Sequence, residues 1–140
     1  MRMSLNWWVG PIVIALSGVT GCATTGPSLS SSAGRLEDTS FAMERNADQS
    51  RVRQDARELS EEAREFRRTL MSNRADRRDV REEFDDVSRS YHSLRDEVER
   101  VSDRETDRYF EPVTNAYLDI EREIGRGDAA NRDRYARERY

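Results

Sequence analysis

The chain has 140 residues, 24 basic against 28 acidic side chains, a net charge of −4 and 35% hydrophobic residues. That length leaves room for one small domain, and the mild negative charge offers no electrostatic footprint for nucleic acid. A single cysteine, Cys22, excludes an intramolecular disulfide.

Residues 1–21 have the three parts of a secretory signal. Arg2 supplies the positive end, no acidic residue precedes Glu37, and Trp7 to Leu16 form an apolar run interrupted by Gly10 and Pro11. The run falls short of the ~20 residues that span a bilayer. Small residues then lead through Val19, Thr20 and Gly21 to Cys22. This stretch resembles the lipobox of a bacterial lipoprotein precursor, with an aliphatic residue three before the cysteine and small residues between; Thr20 stands where alanine or serine is commoner. The resemblance is confined to the N-terminal region. It implies cleavage before Cys22, diacylglycerol on its thiol, a fatty chain such as palmitate on the new amino group, and attachment to a membrane. Several acyl chains on one residue make such an anchor lasting, at about 0.8 kcal/mol per buried methylene. Ala23 after the cysteine, in place of an aspartate, implies outer-membrane sorting with the domain facing the periplasm. The small murein-lipoprotein type is joined to peptidoglycan through a C-terminal lysine. Here every basic residue is arginine and the sequence closes Arg137-Glu138-Arg139-Tyr140, so no such covalent link is expected.

Residues 22–34 read as the lipidated cysteine and a flexible linker, small and uncharged with Gly26 and Pro27 inside. Twelve linker residues would reach about 20 Å root-mean-square. From Leu36 the chain becomes charge-rich and helix-forming, with Asp38, Thr39 or Ser40 as candidate caps. Strict periodicity begins at Val52 and continues through Ala56, Leu59, Ala63, Phe66 and Leu70, a heptad seam. A second seam runs through Val80, Phe84, Val87, Tyr91, Leu94, Val98 and Val101.

Two connections between the seams are open. Ser72, Asn73 and Asp76 suit a tight turn near 72–74, with Asp76 three after Asn73 as a capping arrangement. Against this, the frame passes unshifted through Leu70, Asn73, Arg77 and Val80, as one long helix in a parallel coiled coil would require. The turn is preferred. After Val101 the frame fails, which places a break within 102–111. Phe110, Val113, Tyr117, Ile120 and Ile124 then mark a third helix, with Pro112 in its first turn and Gly125 near its end. The expected fold is therefore all-α: an antiparallel hairpin completed by a third helix, a coiled-coil-like three-helix bundle over residues 35–125. Residues 126–140 read as an arginine-rich polar tail, frayed helix or disordered, without an apolar stripe.

Chemistry is sparse. His92 follows a seam residue and faces solvent, and without a free cysteine it cannot build a zinc site of the usual kind. Carboxylate pairs such as Glu82-Glu83 and Asp85-Asp86 fall mostly on polar faces among arginines and read as solvated helix surface; acid–base work would need burial or a close partner. Arg126-Gly127-Asp128 spells an adhesion tripeptide but reads as a helix end. No catalytic, cofactor-binding or metal-ligating residue is expected, and no enzyme. The aromatic set Phe66, Phe84, Tyr91, Phe110 and Tyr117 reads as core, with a groove for a small apolar or lipid ligand as the alternative. The expected function is a non-catalytic envelope scaffold, held at the membrane by Cys22, whose helical seams meet a protein partner or a second copy.

Overall fold

The computed structural model describes the backbone of residues 28–137 and the side chains of residues 28–127. The signal segment, the lipobox residues Val19, Thr20 and Gly21, and Cys22 lie outside the described residues. Four helices follow one another: α1 (Leu29–Asn46), α2 (Ser50–Met71), α3 (Arg77–Val101) and α4 (Arg104–Arg137). No strand occurs among the described residues, so the chain is all-α as expected. Where a hairpin and one further helix were expected, an additional helix precedes the hairpin.

That helix, α1, begins inside the stretch read as linker. The Ser28 hydroxyl caps it, accepting from the Ser31 N–H at 3.3 Å. Ala33, Leu36 and Met43 are fully buried and Ala47 nearly so, with Ser32 and Ser40 buried beside them. Ala33, Leu36, Ser40, Met43 and Ala47 are spaced 3, 4, 3, 4, the same heptad rhythm as the other seams. Ser40 occupies a seam position and Ala33 lies in a serine-rich run, so the period is masked by small and polar residues.

Each neighbouring pair of helices is antiparallel. Glu37 of α1 meets Arg64 (2.9 Å) and Arg67 (3.0 Å) of α2, while Glu44 meets Arg57 at 2.7 Å. Arg35 reaches Asp119 of α4 at 2.7 Å. Phe66 of α2 packs on Phe84 of α3 at 6.0 Å, and the Ser93 hydroxyl donates to Asp55 at 3.4 Å. The result is an up-down-up-down four-helix bundle with short connections. The arginines of these pairs stay about half-exposed, and ion pairs at such a surface contribute about 0–1 kcal/mol each, so the apolar seams hold the bundle. The seam residues of α2 from Val52 to Phe66 are fully buried, as are Val87, Leu94, Val113 and Ile120.

The alternatives at residues 71–79 resolve as a turn. α2 stops at Met71 and α3 restarts at Arg77 under a capping box, which lies three residues beyond the expected Asn73–Asp76 arrangement. Asp76 accepts from the N–H groups of Arg78 (2.6 Å) and Asp79 (3.0 Å), and Asp79 accepts from the Asp76 N–H at 3.0 Å. The next break falls at Ser102, whose backbone is left-handed at φ 50°. Asp103 then caps α4 through Thr106, accepting from its N–H at 3.4 Å.

Two expectations for the last helix are corrected. Pro112 lies well inside α4 rather than in its first turn. Its missing N–H frees the Arg108 carbonyl, and both residues are exposed, so water satisfies that group. The helix also passes through Gly125 and Gly127 to Arg137 instead of stopping at Ile124. Neither glycine adopts positive φ, and a Cβ on either would meet nothing within 4 Å.

The sign of a glycine substitution tests this continuity. Gly125→Ala and Gly127→Ala should each stabilise the domain by about 0.5–1 kcal/mol, as in any exposed helix interior; a left-handed cap at Gly125 would make the first destabilising. Leu36→Ala should cost about 2–5 kcal/mol in denaturant unfolding, whereas a linker position would show no change.

Candidate functional site

Two regions concentrate features beyond ordinary packing. The first is the α3–α4 seam, where the structure brings the expected aromatic set together. Phe84 lies 5.9 Å from Tyr117, Tyr117 lies 3.9 Å from Tyr91 with the rings 6° from parallel, and Tyr91 lies 5.8 Å from Phe110. Phe66 joins from α2. Each polar tip finds a partner: the Tyr117 and Ser88 hydroxyls are 2.9 Å apart, and the Tyr91 hydroxyl donates to Thr114 at 3.3 Å. Successive rings at these spacings fill the space between themselves, and a further planar group has no slot between Tyr91 and Tyr117. Burial, with help from nearby Glu121 and Tyr91, pushes the Tyr117 phenol above its ordinary value, against the lowering effect of Ser88. His92 is exposed as expected, and its ring edges onto Tyr91 (5.4 Å) and Tyr117 (6.1 Å).

The second region is the end of the bundle where the described chain begins. Leu29 of α1, Val80 of α3 and Ile124 of α4 line an open apolar groove of about 310 Å³, with Arg77, Arg81, Glu123 and Gly127 around it. Beside it Met71, the last residue of α2 before the 72–76 turn, is 71% exposed. None of these residues was singled out in the sequence as a site. The available signal was the density of arginine between Arg67 and Arg81 flanking an exposed methionine.

Carboxylates gather at two places between α2 and α3. Glu62, Glu83 and Asp86 bring oxygens within 4.8 Å of one another. All three remain partly solvated, and Asp86 pairs with Arg89, so charge and water already account for them. Near the opposite end, burial raises the pKa of Asp55, and the neighbouring Glu58 and Glu97 add to the effect; Ser93 and Arg100 oppose it. Arg57 and Arg64 are held even more firmly in the charged form by their hydrogen bonds to Glu44 and Glu37. Among the described residues no nucleophile, base and oxyanion donor converge as acyl- or phosphoryl-transfer chemistry would need.

No family model matches the chain, and neither the curated proteins nor the solved structures contain a match.

Asp55 supplies a pH test. Its folded pKa is raised, so the native state holds that proton more tightly than the unfolded chain, and the stability it lends at low pH is lost as pH rises through the folded value. Asp55→Asn should raise the melting temperature at neutral pH. The gain should vanish below the ordinary carboxylate range, where Asp55 is itself protonated.

Proposed function

We propose that this chain is a lipid-anchored bacterial envelope lipoprotein whose helical domain is a scaffold for protein interaction and carries out no catalysis. The observation that carries the reading is the run Val19-Thr20-Gly21-Cys22 behind an apolar stretch with a positive start. Acylation of Cys22 would fix the chain to a membrane, with the outer membrane and a periplasmic orientation following from Ala23. No described helix is long and apolar enough to cross a membrane, so attachment by acyl chains is consistent with the rest of the architecture.

The bundle supports the scaffold half of the reading. Its seams are spent on one another: Leu36, Leu59, Leu94 and Ile120 are fully buried, and the aromatic residues fill their own seam. What remains outside is a charged surface on stiff helices, with Phe41 and Leu118 among the few exposed large apolar side chains. That surface suits recognition of a partner protein or a second copy better than enclosure of an apolar ligand. The ring stack supports the scaffold over the carrier reading for the same reason.

Cys22→Ser should abolish metabolic labelling by fatty acid and release the protein from the membrane fraction; labelling that persists would reject the anchor. In-cell crosslinking should recover a defined partner or dimer. Carboxyl- or photo-reactive reagents are required, because the sequence contains no lysine.

A further inference from the structure

We propose that the end of the bundle carrying the 72–76 turn docks onto an anionic lipid surface. The proposal rests on the reading of Cys22 as the membrane anchor, and it adds how the domain sits on that membrane.

The first argument is length. Because α1 starts at Leu29 under the Ser28 cap, the connection from Cys22 to the folded domain is half of what the sequence suggested. Those six residue steps span at most about 20 Å when fully extended, and about 12–15 Å root-mean-square as flexible chain. The groove lined by Leu29, Val80 and Ile124 lies where this connection enters. An acylated Cys22 therefore keeps this end within about two Debye lengths of the headgroups at physiological salt.

The second argument is charge. The mature chain is acidic overall, yet between residues 67 and 81 six arginines, Arg67, Arg68, Arg74, Arg77, Arg78 and Arg81, stand against two carboxylates, Asp76 and Asp79; Arg67 and Arg68 pair with Glu37 and Glu65, and Glu123 lines the groove. Asp76 and Asp79 are both turned onto backbone N–H groups in the capping box. One turn further up α3, Glu83 and Asp86 meet Glu62. That acidic collar repels an anionic surface and confines contact to the tip. An apolar element stands among the arginines: Met71 is 71% exposed beside the turn. Arginine around an exposed apolar side chain fits the headgroup boundary, where the cation meets phosphate and the apolar group enters the acyl region.

The test uses the full mature protein in vesicles. An acylated Cys22 has no thiol, so Met71→Cys introduces the single free one, and Gln49→Cys does the same at the opposite end. Each is labelled with an environment-sensitive fluorophore in vesicles of phosphatidylcholine alone or with phosphatidylglycerol. The expected result is a blue shift and quenching by brominated lipid at position 71, only in anionic vesicles and lost at high salt, with position 49 unaffected. Arg74→Gln or Arg78→Gln should each lower the ratio of docked to undocked protein about fivefold, the factor matching about 1 kcal/mol per basic residue at the surface. Equal spectra in both lipids overturn the proposal. So does insensitivity to both arginine replacements. Two labelled thiols on Met71→Cys would overturn the anchor itself, whereas one labelled thiol with no contrast between lipids overturns the docking alone.

Discussion

Tyr91 and Tyr117 lie face to face at 3.9 Å, and that contact sets the spacing of the second half of the bundle. Two rings stand between the backbones of α3 and α4, so those helices come close at few points. On the other side Ala33, Ser40, Ala56 and Ala63 are buried, and their small side chains let α1 and α2 run close together along their length. Dense packing requires the two sides to match in total volume. The bundle thus has one tight side built of alanine and serine and one wide side built of rings. The wide side is filled by its own aromatics, with both tyrosine hydroxyls satisfied by Ser88 and Thr114. A core completed in this way leaves no concave, polar-lined space along the seam for chemistry.

Under the proposed acylation of Cys22, the tight side has a consequence for the anchor. α1 packs because its small residues admit close approach, and Glu37 and Glu44 tie it to three arginines of α2. Residues 29–34, read in the sequence as linker, belong to that helix. A domain on a long flexible tether samples all orientations, whereas one on a short tether presents the same end to its anchor. If Cys22 is acylated as proposed, the helix that completes the core would also orient the molecule. The distribution of charge, arginine-rich at the turn and acidic one turn beyond, follows the same axis.

Much of this arrangement was legible in the residues. The seams from Val52 to Phe66 and from Val87 to Val98 are the buried faces of α2 and α3, because a sustained apolar heptad with charges between can be satisfied only by a helix with one covered face. The aromatic cluster was legible on the same ground. What was not legible has physical causes. α1 was missed because Ser40 sits where an apolar residue is expected and is buried all the same. Pro112 was placed at a helix start because that is its least costly position, but an exposed proline, whose freed carbonyl meets water, is tolerated further in. Gly125 was read as a stop because glycine favours one, yet it remains helical.

The sequence alone determined that the described chain is helical and which faces of α2, α3 and α4 are covered. Periodicity and composition are local properties, and they suffice for such conclusions. Only the tertiary structure decided that there are four helices rather than three, that residues 71–79 turn back instead of running on, and how near the folded domain begins to Cys22. Each of those outcomes depends on the fit between helices. A serine-and-alanine stripe becomes a core face only when a partner of matching shape lies against it, and no local pattern records the partner.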